Sequence, residues 1–197
     1  MGFTNYDIGS ALQTICLRRV EDPFKYPLHQ ELMDDKKAFR GKVQVETGKD
    51  YKWVKEELSK INNERDTMPK RYEKSEVLKT YYHEAMMLRK EILSSVERQT
   101  YWRAWKFARP QWEKTSWNFV KSDFDWITYD KKKSSVFFFV WTQWERQIRK
   151  SMMSCFNEPS ACQQVHDAVY SRQVIEPNII EKKVLQDTGF KVQISTD

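Results

Sequence analysis

Residues 69–109 read PKRYEKSEVLKTYYHEAMMLRKEILSSVERQTYWRAWKFAR. Pro69 suits a helix start, and Pro110 follows the last residue, where a helix stops. Leu78, Tyr81, Ala85, Leu88 and Ile92 recur every three or four residues, the period of one helix face. The stripe then drifts to Val96, Thr100, Ala104 and Phe107. One helix of about 38 residues would reach about 57 Å. A domain of this size is only about 35–40 Å across. The stretch therefore predicts a mainly α, elongated chain whose long helix kinks or packs along a second chain. The drift suits a bundle contact better than a uniform heptad seam.

Upstream, Thr4 to Asp7 has the spacing of a capping box, and Ile8, Leu12 and Ile15 follow at helical intervals. This predicts a helix over 7–20, ended by Asp22-Pro23. Pro27 opens a second helix carrying Leu28, Leu32 and Phe39. Residues 42–46 alternate, with Val43 and Val45 to one side, and stop at Thr47-Gly48, which predicts a short strand. Asp50 is placed to cap a helix over 51–62 on which Val54, Leu58 and Ile61 share a face.

Downstream, Ser134 or Ser135 is expected to cap a helix reaching about residue 155. Phe137, Val140 or Trp141, Trp144, Ile148 and Met152 form its apolar face. Ser160 is read as starting another helix, with Val165, Ala168 and Val169 inward, and 179–186 as a last helix closed by Gly189. Phe190, Val192 and Ile194 alternate as a terminal strand, and the likeness of Lys191-Val-Gln-Ile to Lys42-Val-Gln-Val suggests a two-stranded sheet, 42–46 with 190–195. Three regions result: 1–48 (helices and a short strand), 49–155 (the central helical region) and 156–197 (C-terminal helices and tail).

The 101–150 segment holds seven of the eight tryptophans and 15 of the 28 aromatic residues. It carries 11 Lys or Arg against 5 Asp or Glu, so the whole net charge of +6 sits there. Five glycines argue against a chain of many tight turns. The longest apolar run, 136–141, is far short of a membrane span. Neither a secretory signal nor a myristoylation signal is evident, since Ile8 to Leu17 is interrupted by polar residues and Tyr6 stands where Ser or Thr is needed.

The chemistry-bearing residues are sparse. Three histidines, with no Walker loop, Gly-x-Ser-x-Gly or dinucleotide fingerprint, make an enzyme the weaker reading, and no cofactor is expected. Cys155, Cys162 and His166 lack a fourth metal ligand, so no metal is expected either. Asp123 and Asp125 read more simply as loop or capping residues than as ion ligands. Free thiols are the simplest state of the cysteines. The break at Pro159 leaves open a helix–turn–helix disulfide between Cys155 and Cys162.

What remains is a Trp-rich basic surface. Trp102, Trp105, Trp112, Trp117 and Trp126, with Lys131, Lys132, Lys133, Arg146, Arg149 and Lys150, form the candidate interface. Trp, Tyr and Arg dominate binding hot spots, so Trp102 and Trp105 are expected to be worth about 2 kcal/mol or more each if they contact a partner. The composition points to a non-catalytic accessory subunit of a large multiprotein assembly. Its leaning is to a mitochondrial inner-membrane complex, respiratory or ATP synthase, bound peripherally and touching anionic headgroups. An RNA-associated protein, such as a ribosomal accessory subunit, is the alternative, with a filament- or microtubule-lining protein third. Nucleic acid is the weaker partner because Asp123, Asp125 and Asp130 interrupt the basic stretch.

Overall fold

The first strand, β1 (Thr4–Ile8), and the last, β4 (Ile194–Thr196), lie side by side and antiparallel, with Ile8 opposite Ile194. On its other edge β1 pairs with β3 (Ala168–Ser171), which forms a hairpin with β2 (Gln163–Val165), giving the antiparallel order β2-β3-β1-β4. This is a computed structural model, and it describes residues 2–63, 65–108, 133–165 and 167–196. Among these the chain is mainly helical: α1 (Ala11–Leu17), α2 (Pro27–Asp34), α3 (Lys36–Thr47), α4 (Tyr51–Asn63), α5 (Glu76–Ser95), α6 (Arg98–Phe107), α7 (Lys133–Met153) and α8 (Pro177–Thr188).

Two apolar cores result. One is walled by α2 to α5, with Phe39, Val43, Val54, Ile61, Tyr72 and Leu78 at its centre. The other joins the sheet to α1, α6, α7 and α8 through Tyr6, Ile15, Phe137, Val140, Ile148, Val169 and Ile180. Helix α5 serves both: Leu78, Tyr81 and Ala85 enter the first, Leu88 and Ile92 the second. Every residue of α1 is buried.

The single helix expected over 69–109 is broken twice. Lys70–Lys74 is a 3-10 turn, and Ser75 restarts the helix by accepting a hydrogen bond from the Leu78 amide at 3.1 Å. At the other end Val96 and Glu97 are extended. The Ser94 and Ser95 hydroxyls turn back onto helix carbonyls at Lys90 and Ile92, which weakens the ladder where the apolar stripe shifts faces. At 20 residues α5 is about 30 Å long, within the dimension of a domain.

Other local readings were overridden by packing. Residues 42–46 belong to α3, where Phe39 and Val43 are buried one turn apart and Val45 is 89% exposed. Asp35 caps that helix through the Lys37 and Ala38 amides. The small sheet therefore exists without 42–46, and the C-terminal strand takes β1 as its partner. Thr4–Asp7 is strand rather than capping box, and the helix starts only at Ala11, after Ser10 at φ 45°. The segment after Ser160 is a hairpin instead of a helix, because its residues complete the sheet on β1. The Asp50 cap, Pro27 at the first position of α2, and the Gly189 end of α8 stand as read.

Four helices meet at a buried polar cluster. The Tyr81 hydroxyl of α5 accepts from Gln13 Nε2 of α1 at 3.0 Å and shares a hydrogen bond with the Asn62 amide of α4. His29 of α2 stacks on the Tyr81 ring at 4.3 Å, and its Nδ1 lies 3.3 Å from Glu84. Glu84 also accepts from the Leu28 and His29 amides, so one carboxylate satisfies the first turn of α2. A second buried carboxylate, Glu57, is held by Lys60 at 2.9 Å, Arg65 at 3.1 Å, Arg71 at 2.6 Å and the Tyr72 hydroxyl. Burial pushes Glu57 up, but those donors outweigh it and hold it at about 2.

The two clusters titrate in different windows. Burial pulls the His29 imidazole below its ordinary 6.5, although Glu84 pulls the other way. The unfolded chain takes up a proton near pH 6.5 that folded His29 resists, so this stabilisation is present above about pH 6.5 and lost as pH falls below it. The Glu57 contribution is present above 4.5 and lost as pH falls toward about 2. Urea unfolding across pH is expected to show both slopes, and His29→Gln to flatten only the first. Flat wild-type stability between about pH 7 and 5 would contradict the assignment.

Candidate functional site

Helix α6 has Ala104 buried and Tyr101 and Trp105 half-buried against the second core. Its outward arc then consists of Arg98, Gln99, Trp102, Arg103, Lys106 and Phe107. An outward helix face ordinarily mixes both signs of charge. This one has three cations, two large aromatics and no acidic residue between Arg98 and Phe107. Trp102 is 50% exposed and is held edge-on by Trp105 at 5.4 Å and Tyr101 at 6.1 Å.

Where α6 ends it meets the start of α7. Phe107, 65% exposed, lies 6.2 Å from Phe139, which in turn lies 5.7 Å from Phe138, 39% exposed. Phe138 also packs edge-on to Trp141 at 5.8 Å. The result is an exposed aromatic edge whose phenylalanines offer no polar atom to water.

The start of α7 is fixed from a distance. Asp66, in the turn after α4, accepts from the Ser134 amide at 3.2 Å and its hydroxyl at 3.1 Å. The cap expected from Ser134 or Ser135 is thus supplied by Asp66. Asp66 also faces Arg89 at 3.4 Å. Buried Arg89 donates to the Arg65 and Ile61 carbonyls at the end of α4, and burial lowers its pKa to about 10, which leaves it charged. The α6–α7 pair is therefore mounted on the first core through the hydrogen bonds of Asp66 and Arg89.

The sequence-derived interface divides. Trp102, Lys133, Arg146 and Lys150 are exposed. Trp105 is half-buried against the core, and Arg149 is largely covered, 3.7 Å from Glu145. Trp144 is core: the Arg19 guanidinium covers it at 5.2 Å and Phe190 at 4.3 Å. Trp112, Trp117, Trp126, Lys131 and Lys132 lie outside the described residues, as do Asp123 and Asp125. From sequence Phe107 belongs to the apolar stripe of its helix, and Phe138 falls off the stripe of Phe137, Trp144, Ile148 and Met152 without being marked as a contact. For Phe107 only the packing shows that the ring faces outward.

The cysteines are free thiols. The Cys155 thiol points to the Ser151 carbonyl at 3.6 Å and Cys162 to the Glu158 carbonyl at 3.8 Å. Burial raises the Cys155 pKa, and raises that of fully buried Cys16 further. Among the described residues no group of three His, Cys, Asp or Glu is placed to hold a metal, and no helix is long and apolar enough to cross a membrane. Comparisons with protein-family models, with curated proteins and with solved structures returned no match.

The two α6 tryptophans are expected to behave differently. Trp105→Ala should destabilise the fold by about 2 kcal/mol through lost packing. Trp102→Ala should stay within about 0.5 kcal/mol, since half of its ring already faces water. Urea unfolding of the two variants measures this, and equal losses would place both rings in the core.

Proposed function

We propose that the protein is a non-catalytic subunit of a larger multiprotein assembly, docked through the aromatic edge of α6 and α7. The observation that carries this is the contact chain from Phe107 through Phe139 to Phe138, two of whose three rings are more than one-third exposed. Contiguous exposed aromatics on a soluble face are the usual sign of an unfilled interface. A non-catalytic role is supported by the use made of the buried ionisable groups. Glu57, Glu84 and Arg89 each hold helices together. Within this class the aromatic content of 14% and the +6 balance fit a subunit peripheral to a membrane complex such as those of the mitochondrial inner membrane.

The double variant Phe107→Ser with Phe138→Ser tests the docking. In cell extracts made with mild detergent, the wild-type protein should migrate on native gels with a defined set of partner subunits, whether or not nuclease is added. The variant should migrate alone while keeping its melting temperature, because removing exposed rings costs the fold little. Co-migration unchanged in the variant would sink the assignment of this edge. Partners lost on nuclease treatment would favour the RNA-associated reading instead.

A further inference from the structure

Arg98, Trp102 and Lys106 stand at i, i+4 and i+8 along α6, in a single row two turns long, with Arg103 beside them. Together with Gln99 they line a shallow depression on the outer surface of the helix. Lys42, Lys79 and Lys183 are each matched to a carboxylate: Glu31 at 2.8 Å, Glu76 at 3.3 Å and Asp187 at 2.6 Å. Among the described residues Arg98 and Arg103 have no such partner. Their charge faces outward around an indole propped in place by Trp105 and Tyr101.

We infer that this stripe of α6 rests on an anionic phospholipid surface. The inference deepens the reading of a subunit peripheral to a membrane complex and uses a different part of α6 from the phenylalanine edge. Charge complementarity selects the occupant. A row of cations on a convex helix meets a plane of headgroup phosphates along its whole length, and an indole between them sits at headgroup depth. A nucleic-acid strand is ordinarily tracked by a groove with several stacking platforms, whereas this stripe offers one indole. Each cation close to an anionic leaflet contributes about fivefold in partitioning, so Arg98 and Arg103 together give about twenty-fivefold. That strength orients a subunit already held by its partners and leaves it releasable.

Sedimentation of the purified protein with vesicles tests this. Vesicles of phosphatidylcholine alone are compared with vesicles containing about one-third phosphatidylglycerol, at low and at physiological salt. Binding to the anionic vesicles only, weakened by salt, is the expected result. Arg98→Glu with Arg103→Glu should lower partitioning by about twentyfold or more at unchanged melting temperature. Trp102→Ala should lower it further, whereas Phe107→Ser with Phe138→Ser should leave it intact. No sedimentation, equal binding to neutral vesicles, full binding by the charge-reversed variant, or displacement by single-stranded RNA would each overturn the inference. Retained vesicle binding by the phenylalanine variant separates this result from that of the native-gel experiment.

Discussion

The rest of the fold depends on the stacking of His29 on Tyr81 beside the Glu84 carboxylate. Around this contact α1, α2, α4 and α5 come within hydrogen-bonding distance of one another through Gln13, His29, Asn62 and Tyr81. Polar groups buried this deeply are costly unless hydrogen-bonded, and the bonds made by Gln13, Asn62, Tyr81 and Glu84 fix how the helices are rotated and offset. Apolar packing alone would accept several registers of α2 against α5. The Glu84 carboxylate accepts just one, in which the amides of Leu28 and His29 reach it.

The same device recurs along the chain. Glu46, at the end of α3, accepts from the Ser75 hydroxyl and the Glu76 and Val77 amides, so it caps α5 from outside. Asp66 caps α7 in the same manner, and Glu181 receives the Ile194 amide at 2.8 Å where β4 begins. Each carboxylate stabilises the positive end of an element, or an otherwise unpaired amide, and at the same time ties together segments distant in sequence. A helix start that depends on a remote carboxylate forms only as the tertiary structure forms. Short helices such as α2 need this support, because isolated helices of that length are marginal in water.

This scaffold sets what the α6–α7 pair can present. Arg89 and Asp66 anchor the start of α7 to the end of α4, and Leu88 and Ile92 of α5 pack into the core that α6 and α7 complete. With Ala104 inward, the outward arc of α6 is fixed, and its cations and aromatics cannot rotate away from solvent. The break at Val96 and Glu97 matters for the same reason. A continuous helix would carry residues 98–107 off along the axis of α5, whereas the break lays α6 against α7.

Several features could be read directly from the residues: the helical class, the helix starting at Asp50, Pro27 at the first turn of α2, Gly189 at the end of α8, and the burial of Leu78, Tyr81, Ala85, Leu88 and Ile92. All depend on neighbours within a turn or two, where local sterics and apolar period dominate. Of the sheet, the C-terminal strand could be read but the pairing could not, because Thr4–Ile8 acquires its partners from residues more than 150 positions away. For the interface, composition located the aromatic and basic segment. Only the packing separated Trp105 and Trp144, which face the core, from Trp102, Phe107 and Phe138, which do not. Local sequence sets period and capping, while the direction in which a given aromatic ring points is decided by the helix that packs behind it.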